Sequence, residues 1–334
     1  MPDLFSPIGV GHVRFPNRLV MPPMVRFTGE MPEEVARTGG RVNDAVVEHY
    51  ARRVRAGTGM IIVEATAVDA QGRCWADGFG LYEDGQIDDL AKVARGIKAA
   101  GGVACIQLVH GGPQASPELC GGTIVGPSAI RHSEKSAVPE ELTVAAIQAI
   151  QQRFVDAARR AAGAGFDAVE IHGAHGYLLD SFLMQRRNQR TDEYGRTGEG
   201  RMRMLLETCQ RVKDHLAGSA HALVLCRISP FTKREEGYSL DDLTALVRGL
   251  EKAGVDLLHL STDGAFKTWF GSDKTLGQHV GEITRLPRIV AGGLRQPADA
   301  QRLLDENHAD FAAVGTAMLR DPDWAAKARE QLRQ

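Results

Sequence analysis

Eight short apolar runs rich in β-branched residues recur along the chain, at 18–21, 60–64, 103–108, 168–172, 223–229, 257–261, 288–291 and 311–315. Continuous apolar runs of strand length suit strands buried on both faces, as parallel sheets require, and parallel neighbours need crossover segments between them. Amphipathic stretches supply such crossovers at 42–56, 87–99, 145–164, 201–215, 240–253 and 298–304. Alternation of this kind predicts an α/β fold, and eight strand-helix units predict a TIM (β/α)8 barrel. Barrels of this type run to roughly 250 residues or more as one unit, so 1–334 is expected to form a single domain. The long connections, 25–41, 111–141 and 173–201, follow the first, third and fourth strands. They are expected as extended loops walling the C-terminal face, where barrels carry their chemistry.

Composition narrows the class of partner. With 43% hydrophobic and 25% charged residues the chain is neither disordered nor fibrous. A net charge of −2 with interspersed signs offers no footprint for nucleic acid or an anionic membrane, so small molecules are the expected partners. The five cysteines, at 74, 105, 120, 209 and 226, form no Cys-x-x-Cys pair, so neither zinc nor an iron-sulfur cluster is expected. Reduced thiols fit a cytoplasmic location. The segment from Met1 to Pro7 carries Asp3 and no apolar core, and no apolar run approaches the ~20 residues that span a bilayer.

Two patterns invite other readings. Gly163-Ala164-Gly165-Phe166-Asp167-Ala168 fits the dinucleotide fingerprint, yet it ends a helix and enters a strand, the reverse of the required order; helix C-cap glycines explain it better. His172 and His175 suggest a metal-dependent barrel hydrolase, but the strand ends at Gly173-Ala174, unlike a helical zinc motif, and no further carboxylates gather at neighbouring strand ends.

Residues at the C-terminal ends of barrel strands converge on one mouth. Here they are Pro22-Pro23-Met24-Val25, Glu64-Ala65, Gln107 with His110, His172 with His175, Arg227, Gly292-Gly293 and Gly315-Thr316. Glycines after strands seven and eight either let backbone amides approach a phosphate or simply turn the chain. A guanidinium inside Leu225-Cys226-Arg227-Ile228 is costly unless an anion meets it, the alternative being an outward-facing salt bridge. Gln107 has donor and acceptor at one tip, suited to an imide edge or to a self-satisfied core position. Two strand-end histidines and Tyr177 are structural or catalytic.

The block His172-Gly173-Ala174-His175-Gly176-Tyr177-Leu178-Leu179, followed by Asn188-Gln189-Arg190-Thr191-Asp192-Glu193-Tyr194-Gly195, resembles the signature of the Old Yellow Enzyme family of NAD(P)H:flavin oxidoreductases. Family-like segments also occur in order at Leu4 to Ile8, Asn17 to Met24, Glu64 to Val68, Ile106 to His110, Ala291 to Gly293 and Met318 to Pro322. The resemblance implies FMN as cofactor, NAD(P)H as reductant, and an ene-reductase that reduces the activated C=C bond of an α,β-unsaturated carbonyl compound. By the same resemblance Pro22, Pro23, Met24 and Val25 pack beside the flavin ring, Ala65 lines it, Gln107 holds its pyrimidine edge and Arg227 meets N1 and C2=O. Gly292, Gly293, Gly315 and Thr316 would hold the phosphate, His172 and His175 the substrate oxygen, and Tyr177 would give the proton. A dienoyl-CoA reductase of the same superfamily is the flavoenzyme alternative, but such enzymes carry an iron-sulfur cluster and further domains. Four features depart from the family pattern. Val25 stands where cysteine or threonine tunes the flavin, and Phe27 where one branch has a substrate-binding tyrosine. Thr316 replaces a phosphate-binding arginine, for which Arg295 is a candidate substitute. No extended tail follows the last helix, so a homo-oligomer would need a different contact.

Overall fold

The computed structural model describes residues 2–27, 31–217, 222–230 and 238–334. Of the loop expected over 25–41, residues 28–30 lie outside that range. Eight parallel strands close a barrel in chain order: β1 (Leu19–Met21), β2 (Met60–Ala67), β3 (Val103–Val109), β4 (Ala168–Gly173), β5 (Leu223–Ile228), β6 (Leu257–Ser261), β7 (Arg288–Ala291) and β8 (Phe311–Ala313). Pairing of Ala312 with Leu19 completes the ring. The expected barrel is therefore the observed fold. Outside it lie α1 (Asp44–Arg55), α2 (Ile87–Ala99), α3 (Val144–Gly163), α4 (Gly198–Ala217), α5 (Leu240–Lys252), α6 (Leu276–Ile283), α7 (Pro297–Asp305) and α8 (Trp324–Gln331). No helix among the described residues is long and apolar enough to cross a membrane.

Side chains two apart on a strand share a face, so the barrel interior can be read off the sequence. Its lower part is apolar: Met60, Ile62, Val103, Cys105, Ala168, Leu225, Leu257, Ile289 and Phe311 form one buried cluster. A hairpin of Ile8–Val10 and Val13–Phe15 carries Phe15 into that cluster, its ring edge-on to Phe311 at 5.0 Å. Two residues further up the same strands the character changes to Gln107, Glu170, Arg227 and His259, all buried. Oil below and charge above puts the chemistry at the C-terminal mouth.

Departures from the sequence reading have local causes. Strand β2 continues past Glu64 to Ala67 because a one-residue bulge between Val63 and Thr66 re-aims Glu64 and Ala65 within the strand. Helix α6 escapes notice because it is short and carries Gly277 and Gly281. Both glycines are packing requirements: a Cβ on the first would collide with the His308 carbonyl, and on the second with the Arg288 guanidinium. The Gly163–Ala168 stretch behaves as expected, with α3 ending at Gly163 and Gly165 turning left-handed at φ 91° before β4.

Candidate active site

Beyond β4 the chain reverses sharply through His175 (φ 62°) and Gly176 (φ 76°). A left-handed histidine costs roughly 1–2 kcal/mol and persists only when its surroundings enforce it. Here they do. The Gly176 amide donates to Asp180 Oδ2 at 2.6 Å, Gln114 Nε2 donates to the His175 carbonyl at 2.8 Å, and the Leu178 amide donates to the His110 carbonyl at 3.1 Å. A Cβ at position 176 would lie 2.9 Å from the His132 ring, so glycine is required there twice over. Asp180 also accepts from the Tyr238 hydroxyl at 2.7 Å, and burial pushes its carboxyl up to about 6.

The turn gathers the expected side chains. Ring centroids of His172 and His175 are 5.1 Å apart, and those of His172 and Tyr177 4.9 Å. Trp75 continues the row, 6.2 Å from Tyr177 and 5.7 Å from Phe27. Trp75 comes from the loop after β2, a connection the sequence reading did not single out. Burial, with help from the neighbouring His175 and Arg227, holds His172 well below the usual histidine range. Crowding by protein atoms and then the Arg227 charge lower His175 too, although its ring still reaches solvent. Burial raises the Tyr177 phenol, so both imidazoles are neutral and the phenol protonated near pH 7.

The floor of the mouth is an interior polar network. Gln107 Nε2 donates to Glu170 Oε1 at 2.7 Å, and His259 Nδ1 contacts Glu170 Oε2 at 2.6 Å. Because Glu170 accepts one hydrogen of the amide nitrogen, the Gln107 carbonyl oxygen is turned away from Glu170 and can accept from a ligand, with the second N–H beside it. Arg227 faces inward, as expected, and donates to Ser261 Oγ at 3.0 Å, while its buried Nε has no partner. Among the described residues no carboxylate reaches ion-pair distance of it, Glu170 being paired with His259. A desolvated guanidinium with an unmet donor calls for an anion.

One wall is stapled from beneath by ions that hydropathy cannot reveal. Arg26 and Glu64, both fully buried, lie 3.3 Å apart, and the Arg26 amide donates to Glu64 Oε2 at 2.9 Å. The guanidinium also donates to the carbonyls of Val35 at 2.7 Å and Asp77 at 2.8 Å, and stacks 4.2 Å from the Phe79 ring centre. Burial outweighs the arginine's attraction and pushes Glu64 up to about 7. The staple joins three segments: Pro22–Phe27, Glu64-Ala65 and the Trp75 loop.

Next to this wall, a Cβ on Gly315 would lie 3.1 Å from Met24 Sδ and 3.3 Å from Pro22 Cγ, so the end of β8 abuts the end of β1. Gly293 is left-handed (φ 68°) with open space where a Cβ would stand, and Thr316 is exposed at the head of a short helix, Thr316–Arg320. Arg295 is exposed, and its carbonyl accepts from Trp324 Nε1 at 3.2 Å. A glycine-lined rim, a guanidinium with an unmet donor and an amide beside it on one mouth fit a flat ring that gains negative charge on reduction and carries a phosphate tail, as FMN does.

Comparison with known proteins agrees. The model of the NADH:flavin oxidoreductase / NADH oxidase family matches residues 3–334. The NADPH dehydrogenase of Bacillus licheniformis is 34% identical over 98% of this chain and 94% of its own length. The NADH oxidase of Thermoanaerobacter brockii is 35% identical over 98% of this chain, which spans 51% of that protein. Among solved structures, the Old Yellow Enzyme homologue from Zymomonas mobilis superposes with a TM-score of 0.85 at 27% identity, covering 99% of this chain and 93% of that one. Morphinone reductase does so with 0.85 at 28% identity, covering 99% and 90%. The barrel and its mouth are thus those of an FMN-dependent NAD(P)H oxidoreductase. The chain belongs to the NADH:flavin oxidoreductase / NADH oxidase family, that of the Old Yellow Enzymes. The metal-dependent hydrolase alternative falls with that membership.

Proposed function

We propose that the protein is an ene-reductase whose substrate is an α,β-unsaturated carbonyl compound. The observation that carries this reading is two neutral imidazoles, 5.1 Å apart, beside a protonated tyrosine 4.9 Å from the nearer one. Bound FMN would supply the hydride relay between the nicotinamide and the β-carbon of the substrate. Pro22, Pro23, Met24, Val25 and Ala65 would pack against its ring, Gln107 would accept from its pyrimidine edge, and the amides of Gly292, Gly293, Gly315 and Thr316 would hold its phosphate. His172 and His175 donate to the substrate carbonyl oxygen and stabilise the negative charge that grows there, as an oxyanion hole does. Neutral rings suit this task, since a donor that keeps its proton stabilises charge without quenching it. Tyr177 then gives its phenolic proton to the α-carbon. Phe27 and Trp75 offer apolar faces to the rest of the substrate and exclude water.

Arg227 would stabilise negative charge on the bound cofactor's ring: a unit pair at about 4 Å is worth roughly 4 kcal/mol at an effective dielectric of about 20. Arg227→Met is therefore expected to lower the two-electron midpoint potential by about 90 mV, the equivalent of that energy shared over two electrons. Spectroelectrochemical titration of the holoenzyme checks this, and an unchanged potential would remove Arg227 from contact with the ring.

The substrate assignment is tested with enzyme reduced by NADPH under anaerobic conditions and then mixed with enones, maleimides or nitroalkenes. Reoxidation by enones with formation of the saturated ketone supports it; oxygen or quinones as the sole oxidants would oppose it.

A further inference from the structure

Ser261, the last residue of β6, stands between Arg227 and His175: the guanidinium donates to its Oγ at 3.0 Å, and its Oγ lies 2.9 Å from His175 Nε2. A guanidinium has hydrogens to give and no lone pair to receive, so the Ser261 oxygen is the acceptor in the first contact. The positive charge turns the oxygen of the hydroxyl dipole toward Arg227 and its hydrogen away. The partner on that far side is His175 Nε2. Were Nε2 to carry a hydrogen, the oxygen could accept both donors, but the hydroxyl proton would be left without an acceptor in this set. At His172 the logic runs the other way, because the Ala174 amide donates to Nδ1 at 3.3 Å, which leaves the hydrogen on Nε2.

We infer that Ser261 is a positioning residue that fixes His175 as the Nδ1–H tautomer, so that the two histidines are held in opposite tautomers and each presents one N–H to the mouth. His175 is exposed at the mouth, and the His172 ring packs between His175 and Tyr177, at centroid distances of 5.1 Å and 4.9 Å. The inference deepens the carbonyl-binding reading above: Arg227 acts on the cofactor directly and, through one hydroxyl, on the orientation of a substrate donor. It also accounts for a small polar residue at this strand end, where an apolar one would leave the Arg227 donor unmet.

The test reads tautomers directly, without substrate, so it is independent of whether enones are reduced. Histidine ¹⁵N-labelled holoenzyme is examined by long-range ¹H–¹⁵N correlation, with His175 assigned by its disappearance in His175→Gln. The expected pattern is a protonated Nδ1 and bare Nε2 for His175, and the reverse for His172. In Ser261→Ala the His175 pattern should swap or average, and in Ser261→Thr, which keeps the hydroxyl, it should be restored. Loss of one neutral hydrogen bond predicts a fall of about three- to tenfold in the rate constant for enone reduction in Ser261→Ala, recovered in Ser261→Thr. Nε2–H on His175 in the unmutated enzyme, or an unchanged tautomer in Ser261→Ala, would overturn the inference. The predicted tautomers in an enzyme that fails to reduce enones would instead sink only the substrate assignment.

Discussion

Tyr177→Phe is expected to slow reoxidation of the reduced enzyme by an enone by about 10²–10⁴-fold, the usual worth of a positioned proton donor. Reduction by NADPH should change only a few-fold, because that half-reaction moves a hydride and asks no proton of the phenol. Rapid-mixing measurement of the two halves separates them. The pH dependence has a definite sign. Burial, and next the Cys74 side chain, raise the Tyr177 pKa above its ordinary 10, and the donor is active only while protonated. The enone rate should therefore show no Tyr177-dependent decline from neutral pH into the alkaline range where an ordinary tyrosine would titrate. A decline centred near pH 7, or equal losses in both half-reactions of Tyr177→Phe, would remove the residue from the proton-transfer step.

Arg26→Met should be the most destabilising single change at the site. Removing one member of a buried pair leaves the other uncompensated, a loss of about 3–5 kcal/mol, whereas replacing both by neutral groups is far milder. The same change would leave the carbonyls of Val35 and Asp77 without the guanidinium donors that now meet them. Chemical denaturation of Arg26→Met, Glu64→Gln and the double variant gives the coupling directly. The expected order is a severe loss for Arg26→Met, with part of it recovered when Glu64→Gln is added, since the amide avoids the proton uptake that the isolated buried carboxyl, already near 7 beside the arginine, would need. Equal losses in Arg26→Met and the double variant would show that the arginine acts through its carbonyl contacts alone.

The barrel was legible because its signal is long-range and redundant. Parallel strands buried on both faces must be apolar, and each of the eight runs carries that mark independently. The His172 block was legible for a different reason: the run His172-Gly173-Ala174-His175-Gly176-Tyr177 resembles the signature of a known family, whereas the left-handed turn at His175 and Gly176 that shapes it emerged only from the fold. Arg227 could be placed inward from cost alone, and it faces inward. What escaped has no one-dimensional signature. Arg26 and Glu64 are 38 residues apart, and only their meeting makes either tolerable in the interior. Ser261 is one small hydroxyl at a strand end, informative only beside Arg227. Trp75 sits in a loop with no periodicity, and its role emerges from ring distances to Phe27 and Tyr177. Glu170 and His259 were within reach, since stepping by two from Ala168 and Leu257 places both inside the barrel, where buried charge demands a partner.

The claim beneath all of this is that the mouth around Arg227 holds a flavin that mediates between a nicotinamide and an enone bound by His172 and His175. Anaerobic stopped-flow of the FMN-loaded protein tests it most directly, first against NADPH and NADH and then against an enone. The account predicts loss of the visible flavin absorption on mixing with a reduced nicotinamide, and its return on mixing with the enone at a rate that falls sharply in Tyr177→Phe. Protein that takes up no FMN, or whose reduced flavin is untouched by every enone while oxygen restores it, would contradict the account.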